Sequence, residues 1–295
     1  MTGTDLGIPL VVGTDSGIGA ALFARLSAAG RPVRGTSRRP ASVGGAVGLL
    51  DLAAPPRDWQ LPGRVSAAYL CAAVTSTELC RRDPAGTRAV NVERTTELAR
   101  LLRDRGAVVV FLSTNQVYDG TRPCRPADDP PCPRTEYGRQ KADAERAVLG
   151  LGGAVVRLTK VFAAPPPLFR GWAAALRAGE PVEAFADMVF APVPAEFVTT
   201  VLMAVGERGA VGVVQVSADR DVTYAEAAGR LATQLGAEPG LVRPVPAAAR
   251  GLPPEAAPRH TTLDTTRLAG EFGIAAPPAG ATLDDLLARC DPGGR

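Results

Sequence analysis

The chain has 295 residues, 46% hydrophobic and 21% charged, enough for one large domain or a large domain with a smaller lobe. Its 33 basic and 30 acidic side chains leave a net charge of +3 and form no basic block, so no nucleic-acid partner is expected. A single histidine, His260, argues against a Ser-His-Asp triad or a multi-histidine metal site, and no metal is expected.

Five cysteines (Cys71, Cys80, Cys124, Cys132 and Cys290) form no C-x-x-C motif. Their odd number and the lack of a basic leader segment predict free thiols in a reducing cytoplasm. No apolar run approaches the ~18 residues that span a bilayer, so no membrane partner is expected.

In chain order, short apolar runs alternate with helical patterns, the signature of a parallel sheet with crossover helices. Residues 8–12 predict a first strand and 18–29 a helix with Leu22 and Leu26 on one face. Further strands are expected at 32–35, 47–50 and 67–71, then a helix over 93–103. The unbroken apolar run at 107–112 predicts a strand buried on both faces. A helix over 136–149 and a buried strand at 154–158 follow. Beyond a proline-rich break at 163–167, helices are expected at 172–178, 196–205, 224–235 and near 283–287, and strands at 189–193 and 211–216. The expected fold class is therefore α/β, a doubly wound parallel sheet with a smaller C-terminal lobe. The division falls near residue 160, so that 1–160 form the first domain and 161–295 the lobe, with segments at about 185–217 returning to the main sheet.

Gly13-Thr14-Asp15-Ser16-Gly17-Ile18-Gly19 lies between the first strand and the first helix. Glycines permit a sharp turn and a close backbone approach to a pyrophosphate, and the helix N-terminus offers unpaired donors. Gly13, Asp15, Ser16, Gly17, Ile18 and Gly19 are the candidate cofactor loop. The second strand is followed by Ser37, Arg38 and Arg39, with no acid to bind a ribose 2′-hydroxyl. These residues suit a 2′-phosphate, so NADP(H) is the expected cofactor, with NAD(H) as the alternative.

Tyr137 and Lys141 stand four apart at the start of a helix, so phenol and ammonium share one face. A nearby cation favours the phenolate and lets tyrosine exchange protons near neutral pH. The strand at 107–112 runs into Ser113 and Thr114, and ligands bind beyond the carboxyl ends of parallel strands. The Thr114 hydroxyl is placed to donate to a substrate carbonyl; Ser113 is the competing choice.

Taken together, these motifs resemble the extended short-chain dehydrogenase/reductase superfamily, in its sugar-nucleotide branch of dTDP-4-dehydrorhamnose reductases and NAD-dependent epimerase-dehydratases. The likeness runs through the glycine loop, Asp51-Leu52, Cys71-Ala72-Ala73, Val90-Asn91-Val92, the stretch from Leu112 to Gly120, Tyr137 to Lys141, Val156 to Phe162, Val214 to Ser217 and Pro258 to Arg267. It implies a Rossmann-type fold with Thr114, Tyr137 and Lys141 as catalytic residues, of which Tyr137 and Lys141 also bind the cofactor. It also implies that Asp51 and Leu52 lie by the adenine, that Cys71, Ala72 and Ala73 pass close to the cofactor, and that Asn91 steadies the sheet end. Asn115, Gln116 and Lys160 would border the substrate and Arg259 would grip its nucleotide. The implied reaction is NADPH-dependent reduction of a keto group on a sugar nucleotide. Epimerisation or dehydration with retained cofactor, and a non-catalytic NADP-binding regulatory module, are the alternatives. A homodimer is a common state in this branch. The glycine loop departs from the usual extended spacing, and Asn115, Gln116 and Lys160 depart from the reductase pattern, which leaves the substrate itself open.

Overall fold

The computed structural model describes residues 7–30, 32–60 and 63–290. The chain runs β1 (Ile8–Val12), α1 (Gly17–Ala28), β2 (Arg34–Ser37), β3 (Val47–Leu49), β4 (Val65–Leu70), α2 (Thr77–Arg82), α3 (Pro84–Arg88), α4 (Thr95–Asp104), β5 (Val108–Thr114), α5 (Glu136–Gly150) and β6 (Ala154–Leu158). It continues through β7 (Lys160–Phe162), α6 (Pro167–Arg177), β8 (Val182–Phe185), β9 (Val189–Phe190), β10 (Pro192–Pro194), α7 (Ala195–Glu207) and β11 (Gly212–Val216). Last come β12 (Val222–Thr223), α8 (Tyr224–Leu235), β13 (Val242–Val245), α9 (Thr266–Phe272) and α10 (Ala279–Ala288). No helix among the described residues is long and apolar enough to cross a membrane.

Contacts divide the chain into two compact units. The first combines Met1–Tyr118, Pro130–Leu158 and Ala195–Gln215. Its seven-stranded sheet has the order β11-β6-β5-β4-β1-β2-β3. The pairs β1–β2, β1–β4, β2–β3, β4–β5 and β5–β6 are all parallel, the register given by Val12 opposite Thr36 and Leu70, and Leu70 opposite Phe111. Alternate side chains leave opposite faces of a strand. On one face Leu10, Val12, Ala68, Leu70, Val109 and Phe111 pack against Leu98 and Leu102 of α4 and Ala144 and Val148 of α5. Each buried Val, Leu or Phe side chain among them stabilises the fold by about 1.5–3 kcal/mol. Tyr69 points the other way, toward α7, where a Cβ on Gly206 would stand 2.2 Å from its phenol oxygen. The helix can approach the sheet there only because residue 206 has no side chain. Arg25 of α1 ties α1 to α7 through the Glu196 carbonyl (2.9 Å) and the hydroxyls of Thr199 (3.0 Å) and Thr200 (2.6 Å).

The second unit combines Asp119–Asp129, Thr159–Pro194 and Val216–Arg295. Three two-stranded sheets, β7–β10, β9–β12 and β8–β13, surround a core shared with α6, α8 and α10. This core concentrates the chain's few aromatics: Phe169 stacks on Trp172 at 5.2 Å, and Phe190 meets Tyr224 at 4.8 Å. The stretch after Tyr118 joins this unit by a bridge from Arg125 to Leu263 and a bond from the His260 N–H to the Gly120 carbonyl (3.0 Å).

Several elements differ from the sequence reading. The second strand begins at Arg34 rather than residue 32, because the pairing with β1 opens at Leu10 opposite Arg34. Residues 189–193 form two strands instead of one, β9 pairing antiparallel with β12 and β10 parallel with β7. α6 starts at Pro167 inside the expected break, where proline suits a first helical turn. The helix expected from residue 93 is preceded by a π turn, Ala89–Arg94.

Candidate active site

The sheet order reverses its direction of growth between β1 and β4, and open parallel sheets bind ligands beyond the carboxyl ends at such a point. Gly13 closes β1 there with φ of +91°, and a Cβ on it would lie 2.8 Å from Ala72, just past β4. Only glycine fits both constraints. The Cys71 N–H donates to the Val12 carbonyl (2.9 Å), so the glycine loop and the half-buried Cys71, Ala72 and Ala73 meet at one sheet end.

Ser16 caps α1. Its Oγ accepts from the Gly19 N–H (3.0 Å) and donates to the Gly13 carbonyl (2.9 Å). A Cβ on Gly19 would sit 2.2 Å from that carbonyl, so this glycine also has no substitute. The N–H groups of Gly17 and Ile18 belong to the first helical turn, have no intrahelical acceptor, and stand at the positive end of the helix dipole. With Gly17 exposed, this is a cradle that fits a pyrophosphate.

The ribose-reading segment is built differently from expectation. Ser37 is fully buried, and its hydroxyl donates to Asp15 Oδ2 (2.5 Å) while accepting from the Arg39 N–H (2.9 Å). It is therefore engaged within the protein, whereas the Arg38 and Arg39 side chains stay exposed. Asp51 is exposed and accepts from the Ala53 N–H (2.9 Å), turning the chain after β3. Leu52 is buried in the core under α4.

The catalytic candidates share one seat. Thr114 is the last residue of β5, and the short helical turn Asn115–Val117 follows. Thr135 caps α5, accepting from the Gly138 N–H (3.0 Å). A Cβ on Gly138 would lie 2.2 Å from the Gln116 carbonyl oxygen. The first turn of α5 thus rests directly on the turn that follows Thr114, which brings Tyr137 to the end of β5. Thr114 and Tyr137 each retain 8% exposure. Thr114 Oγ1 accepts from the Gln116 N–H (3.2 Å) and donates weakly to Asn115 Oδ1 (3.5 Å), and both following side chains are half-buried. Ser113 Oγ is buried without a hydrogen-bond partner.

Lys141 is buried one turn below Tyr137. Its Nζ donates to the Leu112 carbonyl (2.6 Å) and lies 3.7 Å from the centre of the Phe111 ring. Burial draws this ammonium down to about 7, opposed by the charges of Glu145 and Cys71. Burial pushes the Tyr137 phenol well above its ordinary value, with Cys80 adding to the rise. Desolvation likewise pushes the Cys71 thiol up to about 12, against the pull of Lys141.

Two polar assemblies brace this helix. Asn91, expected to steady the sheet end, binds both the N–H (2.8 Å) and carbonyl (2.9 Å) of Val74 and donates to Gln140 Oε1 (2.9 Å). Gln140 in turn donates to Thr87 Oγ1 (2.9 Å) and Glu136 Oε1 (3.2 Å). Asn91 lies in the π turn, a form of helix frequent at functional sites. On the next turn, Glu145 receives a two-pronged bond from the buried Arg157 (2.8 and 3.1 Å), which also donates to the Tyr118 hydroxyl (2.5 Å). The spacing 137, 141, 145 marks one helix stripe and was the available signal.

In the second unit, Lys160 opens β7 with an exposed surface, though desolvation lowers the pKa of its ammonium. Arg259 is exposed between Pro258, which packs on Gly120, and His260, whose Nδ1 is 3.7 Å from Asp221.

Known proteins resemble this chain in sequence and in fold. The chain is 31% identical over 227 residues, 74% of each chain, to the probable low-salt glycan biosynthesis reductase Agl14 of Haloferax volcanii. It is 33% identical over 215 residues to the dTDP-4-dehydrorhamnose reductase of Streptomyces griseus, covering 69% of this chain and 70% of that one. The structure of dTDP-4-dehydrorhamnose reductase from Bacillus anthracis in complex with NADP superposes with a TM-score of 0.80 over 96% of this chain and 99% of that one; at 18% identity this is a likeness of fold. Residues 9–291 match the model of the RmlD substrate binding domain, and the chain belongs to that family.

Proposed function

We propose that the protein is an NAD(P)H-dependent reductase of a keto group, acting on a sugar nucleotide. The observation that carries this reading is the seating of α5 through Gly138 on the turn after Thr114, which assembles Thr114, Tyr137 and Lys141 at the carboxyl end of the central strand. The activities named for the two curated relatives, both reductases, support it.

The cradle of Gly13, Ser16, Gly17, Ile18 and Gly19 would hold the pyrophosphate, with Asp15 beside the adenine ribose, Arg38 and Arg39 a 2′-phosphate, and residues 71–73 the neighbouring part of the cofactor. Bound NAD(P)H would supply the hydride. Thr114 Oγ1 orients the substrate oxygen and polarises its carbonyl. Tyr137 gives that oxygen its proton; among the described residues no side chain hydrogen-bonds the Tyr137 phenol. Lys141, held by the Leu112 carbonyl, supplies positive charge that stabilises the phenolate left behind. Asn115 and Gln116 border the reacting group.

The test is turnover. Oxidation of NADPH and NADH is followed with a panel of 4-keto sugar nucleotides, for the native chain and Tyr137→Phe. The variant should lose turnover by at least ~10²-fold, the usual contribution of a positioned proton donor, and keep nucleotide affinity. Undiminished turnover by the variant would overturn the assignment.

A further inference from the structure

β2 ends on Ser37, and after such a strand nucleotide-binding sheets distinguish a ribose 2′-hydroxyl from a 2′-phosphate. A carboxylate there accepts from the hydroxyl and repels the phosphate; a guanidinium does the reverse. This chain carries both. Arg38 and Arg39 supply the cations on the strand side, and Asp15 supplies the carboxylate from the glycine loop. Asp15 is not free to swing away, because the fully buried Ser37 hydroxyl donates to it at 2.5 Å. The same hydroxyl accepts from the Arg39 N–H at 2.9 Å. Carboxylate, hydroxyl and the backbone of Arg39 therefore form one hydrogen-bonded unit, and Asp15 is exposed.

We propose that Asp15 is a cofactor-discriminating residue: it opposes the 2′-phosphate that Arg38 and Arg39 attract and offers an acceptor to a 2′-hydroxyl, so that NADPH and NADH are held with closer affinities than the arginines alone would give. This inference rests on the nicotinamide-nucleotide reading above. It needs no new contact in the catalytic seat, and it concerns the ratio of two affinities rather than the rate of the reaction.

Asp15→Asn is the discriminating substitution, since the amide oxygen can still accept from Ser37 while the charge is gone. Dissociation constants for NADPH and NADH are measured by titrating the full chain and following fluorescence of the reduced nicotinamide. Removing one charge facing a phosphate of up to two charges in watery surroundings should improve NADPH relative to NADH by about tenfold. The gain should shrink between ~50 mM and ~300 mM salt, as exposed charges are screened. An unchanged ratio with both nucleotides bound overturns the discriminating role and leaves the cofactor reading standing. So does equal weakening of both, which marks Asp15 as a mere support of the loop. Failure of the native chain to bind either nucleotide overturns the cofactor reading and this inference together.

Discussion

Lys141 shows how a single buried charge ties chemistry to stability. Desolvation holds its ammonium near 7 in the folded chain, against roughly 10.4 when unfolded. Between those values the unfolded chain binds the extra proton, so stability rises with pH. Below about 7 both states are protonated, and the full cost of burying the ammonium is felt. From pH 7 to 8.5 the rise should reach about 2 kcal/mol, at about 1.4 kcal/mol per pH unit. Above that, Cys71 contributes the opposite slope, because its buried thiol is held at about 12 and an unfolded thiol ionises first. Urea unfolding across this range should show the rise in the native chain and a flatter profile in Lys141→Met. Parallel profiles would mean that the folded ammonium titrates normally. The Tyr137 and Lys141 pairing is visible in sequence because four-residue spacing is a local property. The partner of Ser37 is not, because Asp15 stands a whole helix earlier in the chain and only the fold brings them together.

At the level of elements, α5 is the part on which the site depends. Its outer end is fixed by Gly138 and its middle by Gln140. Its inner turn is fixed by Glu145 and Arg157, both at most 3% exposed. A buried pair of this kind adds little over an apolar pair of the same shape, but removing one partner strands the other charge. Glu145→Gln should therefore cost about 3–5 kcal/mol, measured by chemical denaturation. The double variant Glu145→Met with Arg157→Met should recover much of that loss. A loss under about 1 kcal/mol in the single variant would show that the pair is effectively solvated. The helix itself was legible, over residues 136–149. The bracing from Arg157 and Tyr118 was not, since a Glu or Arg in a sequence carries no mark of its partner. The same limit explains the strands at β9 and β10: a short apolar run says that a strand is present and is silent on which neighbours divide it.

For the whole molecule, the first unit is assembled from three separated stretches of chain. Its early strands and glycine loop are readable from the N-terminal part alone, because repeated strand and helix patterns announce a parallel sheet. Segments at about 185–217 are expected to return to the main sheet, but which strand and which face they would meet is not announced locally. α7 covers the face of the sheet carrying Tyr69, and β11 lies beside β6 at the sheet's edge. A fragment of residues 1–160 should consequently fail to fold cooperatively and should bind no nucleotide. Circular dichroism melting and a nucleotide titration of the fragment check this. A sharp melt with nucleotide affinity equal to the full chain would show that the later stretches are dispensable to the unit.

During synthesis this arrangement has a temporal price. β6 is complete at Leu158, yet the sheet waits for Val216 before its edge is filled. At ~5–20 residues per second, several seconds pass in which part of one face and one edge of a nearly finished sheet are bare outside the ribosome. In that interval the exposed backbone and apolar side chains are open to holding chaperones, and to pairing with the same stretch of a neighbouring nascent chain.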